Sequence, residues 1–152
     1  MITLKRTNSD NPDFRELVAA LDADLKIRDG EDHSFYSQFN KIDQIKYVLV
    51  AYDQGAKPIG CGAIKEFSTD ALEVKRMFVL PERRGVGIAS SILKELEMWT
   101  IELGYGSCIL ETGVKQPEAI SVYQKNGYHI IPNYGQYENV ESSICFMKKL
   151  VY

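Results

Sequence analysis

Little in this chain invites metal, redox or nucleic-acid chemistry. Only three cysteines and two histidines occur in 152 residues. Cys61, Cys108 and Cys145 form no C-x-x-C pair, and each sits in an apolar, strand-like stretch. An odd count without a pairing pattern is expected of reduced thiols in the cytoplasm, where small cysteines serve as packing residues. His33 and His129 stand alone, so no metal-ligand spacing exists and no metal is expected. No apolar run approaches the ~20 residues that span a bilayer. The start, Ile2-Thr3-Leu4-Lys5, reads as a strand and not as the basic-then-apolar leader of an exported chain. Positive charge is not in excess: 18 Lys and Arg against 21 Asp and Glu leave a net −3, the wrong sign for a nucleic-acid surface. Neither membrane nor nucleic acid is expected as a partner. Repeats, low-complexity segments and linkers are missing too, which leaves a single domain over residues 1–152.

The residues that are present read as an ordinary globular chain. A content of 45% hydrophobic and 26% charged residues argues against disorder, and the length allows a sizeable core. Alternation over residues 2–7 predicts a strand ended by Asn8-Ser9-Asp10-Asn11. Asp10 or Asn11 then supplies an N-cap, Pro12 suits a first helical turn, and Phe14, Leu17, Val18, Leu21 and Leu25 share one helical face. Asp29-Gly30 breaks that helix, and residues 33–42 read as a short second one. Residues 47–52 and 58–67 are strands around the turn Asp53-Gln54-Gly55, hence antiparallel. A strand over 71–80 precedes a helix over 87–103 that turns Ile88, Ile92, Leu96, Trp99 and Leu103 inward and closes at Gly104. The strand at 107–112 runs parallel to the one before, because a helix crosses between them. Pro117 opens a helix carrying Ala119, Ile120 and Tyr123, and Asn126-Gly127 ends it. Strands at 128–131 and 142–150 flank a loop at 132–140. The order β-α-α-β-β-β-α-β-α-β-β predicts an α/β fold: a mixed sheet of six to seven strands with helices on both faces.

The chemical signal lies at Arg83-Arg84-Gly85-Val86-Gly87-Ile88-Ala89-Ser90. A glycine-rich turn that feeds a helix start aims several unpaired N–H groups one way, with the helix dipole adding positive potential, so it suits a phosphate or diphosphate. Residues 71–94 add Lys75, Arg76, Arg83, Arg84 and Lys94 against Glu73 and Glu82, a local excess of three positives on an acidic body. A P-loop is ruled out, since Ile88 and Ala89 follow the last glycine in place of Lys and Ser/Thr. A dinucleotide fingerprint has Gly85-x-Gly87-x-x-Ser90 and Glu111 in its favour. Against it stand the serine in third place and the four residues between strand and glycine.

Arg84-x-x-Gly87-x-Ala89 resembles the Q/R-x-x-G-x-G/A signature of the GNAT N-acetyltransferase superfamily, whose ligand is acetyl-coenzyme A. Met77-Phe-Val-Leu-Pro-Glu82 is similar to the strand and turn before that signature, and Tyr123-Gln-Lys-Asn-Gly-Tyr128 to the family's Y-x-x-x-G-[YF] element. The likeness covers residues 46–150 well. It implies acetyl-CoA-dependent transfer to a primary amine of a small molecule, amino acid or peptide. The alternatives are a non-catalytic module of the same fold that binds acyl-CoA or a metabolite, and a nicotinamide-binding oxidoreductase. A homodimer stays open.

By this resemblance the amides of Gly85, Val86, Gly87, Ile88 and Ala89 cradle the diphosphate and Arg84 adds charge. The backbone of Phe78 and Val79 pairs with the pantetheine arm, and Gln116 stands where many relatives place a cofactor-contacting Asn. Tyr123 matches the tyrosine that protonates or positions the leaving sulfur; otherwise it is a core tyrosine of an amphipathic helix. Glu73 lies near the place of the family's catalytic glutamate. On an uninterrupted strand it would share a face with Lys75, Met77 and Val79. It is then a general base, directly or through water, or a partner of Lys75 or Arg76 in a salt bridge. Glu111 is the second candidate base. Glu31, Asp32, Arg28 and the loop Pro132–Tyr137 are placed to line an acceptor site, and solvated charges are the alternative reading for the first three.

Overall fold

The computed structural model describes residues 1–29 and 44–150. The helix expected over 33–42 lies outside those residues, as do Glu31, Asp32, His33 and the side chain of Arg28. Seven strands and three helices follow in the order β1 (Thr3–Thr7), α1 (Pro12–Asp29), β2 (Tyr47–Tyr52), β3 (Pro58–Glu66), β4 (Ala71–Val79), α2 (Ile88–Glu102), β5 (Ser107–Gly113), α3 (Pro117–Lys125), β6 (His129–Ile131) and β7 (Ser143–Lys149). The strands form one sheet in the order β1-β2-β3-β4-β5-β7-β6. Every neighbouring pair is antiparallel except β4 and β5, which the α2 crossover makes parallel. β7 inserts between β5 and β6, so the hairpin-like end of the chain is not a simple meander. No described helix is long and apolar enough to cross a membrane.

Local chemistry sets the element ends. Asn11 caps α1, its Oδ1 accepting the Phe14 N–H at 3.1 Å. In the β2–β3 turn, Asp53 Oδ1 accepts from the amides of Gly55 (2.9 Å) and Lys57 (3.0 Å). That side-chain bonding places the left-handed residue at Ala56 (φ 62°) and not at Gly55.

Two apolar layers sandwich the sheet. Phe14, Leu17, Val18 and Leu21 of α1 pack on Val48, Val50, Cys61, Ala63 and Phe78. On the other side Ile88, Ile92, Leu93 and Leu96 of α2, with Tyr123 of α3, cover Leu49, Ala51, Ile64, Leu72, Val74 and Val79. Helix α2 lies close to β3 because the strand offers no side chain there. A Cβ on Gly62 would stand 2.7 Å from Met77 Sδ and 2.9 Å from both Ile92 Cγ2 and Leu96 Cδ1. Arg6 fastens the edge strand to α2, its guanidinium meeting Glu102 at 2.7 Å and Glu95 at 2.9 Å while lying 4.8 Å from the Trp99 ring centre.

Two irregularities in β4 create the opening in which the site sits. Cys61 pairs with Phe78 but Ala63 with Lys75, so β4 carries one extra residue there. Arg76 absorbs it with φ 59°, a left-handed conformation uncommon outside glycine. The extra residue flips the alternation. Met77 and Val79 face α2 alongside Leu72 and Val74, so they do not share a face with Glu73 and Lys75 as an uninterrupted strand would require. The second irregularity is a splay. β4 and β5 are paired only from Ala71↔Ser107 to Glu73↔Ile109, and beyond Glu73 the two strands part.

Candidate active site

The turn before α2 exposes its amides. A short 3-10 turn, Pro81–Arg83, follows β4, and Gly85 (φ 84°) and Gly87 (φ 87°) then turn left-handed to start the helix at Ile88. The nearby backbone bonds begin at Ser91, which donates to the Gly87 carbonyl at 3.1 Å. Among the described residues no protein acceptor takes the amides of Gly85, Val86, Gly87, Ile88 or Ala89. A Cβ built on Gly85 or Gly87 meets nothing within 4 Å, so the space beside these donors is open. Asp53 holds Arg83 at the rim, and the turn opens on a cleft of about 560 Å³ lined by Val86, Gly87, Ile88 and Ser91. Free donors, a helix start and an open approach fit an anionic group of diphosphate size.

Arg84 is held by the protein itself. Its Nε donates to the Val79 carbonyl at 2.8 Å, its guanidinium lies 5.4 Å from the Phe78 ring centre, and Asp24 stands 3.6 Å away. The contact locks the turn onto the end of β4. Phe78 and Val79 are buried on opposite faces of the sheet, so what they offer a ligand is backbone. Leu80 N–H bonds back to Ile59 in β3, so the peptide groups of Val79 point to the edge that β5 has vacated.

That vacated edge leads to a cavity of about 120 Å³ lined by Glu73, Lys75, Met77, Glu111, Gln116 and Tyr123, among others. The sheet brings Glu73 there on β4 and Glu111 on β5; Gln116 and Tyr123 come from the start and the last turn of α3. Glu73 accepts the Tyr134 hydroxyl on Oε2 at 2.7 Å and pairs with neither Lys75 nor Arg76. Its Oε1 takes no bond from the described residues. Glu111 accepts the Ser143 hydroxyl at 2.7 Å. Gln116 is the first residue of the α3 cap, and its side chain makes no cap bond. Asn126, just past α3, donates to Ser90 Oγ at 3.0 Å and so ties the tyrosine's helix to the first turn of α2.

Electrostatics separate the groups. Burial first, and the Glu111 charge second, push the Tyr123 phenol up, so it keeps its proton. No described residue accepts its hydroxyl proton. Burial and the Glu73 charge likewise hold Tyr134 protonated as a donor. Burial draws Lys75 below the usual lysine range against the fields of Glu73 and Glu111. The thiols are pushed up by burial, Cys61 to about 12, Cys108 and Cys145 to about 11, which leaves them unreactive.

The chain matches the model of the acetyltransferase (GNAT) domain over residues 44–130. It belongs to the GNAT family. An uncharacterized N-acetyltransferase of Schizosaccharomyces pombe is 30% identical over 102 residues, 66% of this chain and 61% of that one. An IAA acetyltransferase of Azospirillum brasilense is 38% identical over 102 residues, 66% and 65% of the two chains. The chain thus spans less than two thirds of the length of these curated GNAT relatives. A solved structure assigned to the acyl-CoA N-acyltransferases, from Klebsiella pneumoniae, superposes with a TM-score of 0.84 at 26% identity over 99% of each chain. PaiA N-acetyltransferase of Thermoplasma acidophilum, solved with coenzyme A, has the same fold at a TM-score of 0.72 and 20% identity.

Two tyrosines of the loop read as acceptor-lining take up individual places here: Tyr137 lines this GNAT cavity, and Tyr134 stands behind it on Glu73. Tyr134 and Tyr137 come from the loop at 132–140, and their rings pack edge-to-face at 5.8 Å. The loop was legible as acceptor-lining by position, but nothing in its text singles out Tyr134 as the donor to Glu73. The bulge at Arg76 carried no sequence signal, since a glycine would be the ordinary mark of φ 59°.

Proposed function

We propose that this chain is an acetyl-CoA-dependent N-acetyltransferase that acetylates a primary amine of a small molecule, amino acid or peptide in the cytoplasm. One observation carries the reading. Unpaired amides at residues 85–89 lie at one end of a strand edge that β5 has left bare, and a cavity with a carboxylate pair and a protonated tyrosine lies along it. A module that only binds acyl-CoA has no use for the second half of that arrangement.

Acetyl-CoA, the acyl donor of the GNAT family, supplies an acetyl group activated as a thioester. The amides of Gly85, Val86, Gly87, Ile88 and Ala89 hold its diphosphate, with Arg84 adding positive charge while it braces the turn. The Val79 N–H on the bare edge of β4 orients the pantetheine arm as an added strand would, while the Val79 carbonyl stays with Arg84 and the Phe78 peptide groups stay with β3. An N–H on this edge preorganises positive charge toward the carbonyl oxygen. Gln116 offers an amide at the cavity wall.

Glu73 provides the base. An alkylamine, with a pKa of about 10.4, arrives protonated at pH 7. Glu73 Oε1 is open to accept that proton while Tyr134 fixes Oε2. Glu111 adds negative potential that attracts the cation. Tyr123 keeps its proton until the carbon–sulfur bond breaks and then donates it to the sulfur, so that free thiol leaves and the second proton shed by the acetylated nitrogen restores the phenol.

Thiol release from acetyl-CoA across an amine panel, with calorimetric binding of acetyl-CoA in parallel, tests the reading. Tyr123→Phe should lower kcat by about a hundredfold or more with cofactor affinity nearly intact. Absence of acetyl-CoA binding up to millimolar concentration overturns the proposal, and unchanged turnover in the Phe variant removes Tyr123 from it.

A further inference from the structure

Lys75 lines the acceptor cavity, and its ammonium makes no hydrogen bond or ion pair with the described residues. Arg76 beside it is engaged, 3.8 Å from Asp22. Lys75 is partly buried, and it stands in the opposed fields of Glu73 and Glu111 on one side and of Arg76 and Lys65 on the other, with no ion pair to either acid. Its residue position places it before the bulge, so it shares a strand face with Glu73. Two residues along a strand separate their Cβ atoms by about 6.5 Å. A carboxylate oxygen and an ammonium, neither partnered among the described residues, therefore line one small cavity side by side.

We infer that the acceptor is a zwitterion of the α-amino-acid class, its carboxylate held by Lys75 and its amine by Glu73. This rests on the reading of the chain as an acetyltransferase and narrows its substrate. A partly buried ammonium without an anion is costly, and burial already draws Lys75 toward its neutral form. A bound carboxylate offsets that cost and keeps the lysine charged. The spacing suits one molecule bridging both groups. The volume, about 120 Å³, suits the amine-and-carboxylate end of an amino acid, with the side chain directed out through the open mouth. A plain amine would fill the Glu73 end only and leave Lys75 as it is. The peptide N-terminus is disfavoured for the same reason, since its first residue carries no carboxylate at this distance.

Matched acceptors decide the matter. Thiol release is measured with a set of free α-amino acids and with their carboxamides, which keep the amine and lose the anion. The wild-type chain should use at least one free acid with kcat/KM roughly tenfold or more above its amide, the value of one charge-assisted contact. Lys75→Met should raise KM for the acid and collapse its advantage, and Lys75→Arg should restore much of it. The preference should also fade as pH rises through the lowered lysine pKa. Equal use of acid and amide, or a loss in Lys75→Met that strikes both alike, overturns the inference. If other amines release thiol while neither member of any pair does, this proposal fails and the acetyltransferase reading stands. If no amine does and acetyl-CoA does not bind, both fail.

Discussion

Replacing Gly87 with alanine should separate ligand binding from folding. Gly87 has φ 87° and ψ 10° at the start of α2, and a Cβ there meets no atom within 4 Å. The cost to folding is therefore backbone strain alone, about 1–2 kcal/mol for an L-residue in the left-handed region. Gly104, at the other end of α2, supplies the control: its φ is 91° and its Cβ direction is equally open, but it lies away from the turn. Gly87→Ala and Gly104→Ala should lose similar stability in urea unfolding. They should differ in coenzyme A affinity. At Gly87 the methyl group enters the open space beside the donors, and relief of the strain turns the adjoining peptides away. Loss of two charge-assisted hydrogen bonds at about 1.5 kcal/mol each is ~3 kcal/mol, or roughly a hundredfold in Kd by calorimetry. Gly104→Ala should bind coenzyme A as the parent does. Equal affinities in the two variants, at equal loss of stability, would refute the role of the turn.

Two further outcomes follow from the packing. Gly62→Ala should destabilise by about 1–3 kcal/mol despite the entropy a glycine normally forfeits, because the methyl group would stand within 3 Å of Met77, Ile92 and Leu96; an unchanged or higher Tm would mean that α2 is not seated as described. The phenols of Tyr123, Tyr128, Tyr134 and Tyr137 are all raised above the ordinary tyrosine value, chiefly by burial. Their contribution to stability is whole below pH ~10, where the unfolded chain begins to ionise, and falls by up to about 1.4 kcal/mol per pH unit per tyrosine above it. Tyrosinate absorbance from these residues should thus appear together with unfolding in alkaline titration, and a reversible titration near pH 10 with secondary structure intact would count against their burial.

The succession of elements along the chain and the starts of the described helices were legible because they rest on local chemistry. Asn11 and Pro12 fix the start of α1, Pro117 that of α3, and Gly104 and Gly127 (both at φ 91°) the ends of α2 and α3. The exposed amides were legible for the same reason, since Gly85 and Gly87 are spent on backbone geometry. What stayed hidden depends on pairing between distant segments. The place of β7 between β5 and β6 is settled by long-range register, from Ser107↔Lys149 to Gly113↔Ser143, and leaves no mark in the seven residues of β7. The bulge at Arg76 is held by the surroundings of a residue that does not favour it, so an assumption of strict alternation put Met77 and Val79 on the wrong face. For the site, the resemblance to the family named Glu73, Gln116 and Tyr123 as candidates and the end of the neighbouring strand added Glu111, and the splay between β4 and β5 is what lines one cavity with all four. The bond from Tyr134 joins residues 61 positions apart, beyond the reach of any spacing rule.

The most direct test of the account is a titration of isotope-labelled protein with coenzyme A, followed at each backbone amide by NMR, beside the same titration with pantetheine, which lacks the diphosphate. Coenzyme A should move the resonances of Gly85, Val86, Gly87, Ile88 and Ala89 more than any others, and pantetheine should leave them in place while perturbing the open edge of β4 near Val79. Saturation with coenzyme A that leaves those five amides unmoved would contradict the account at its base.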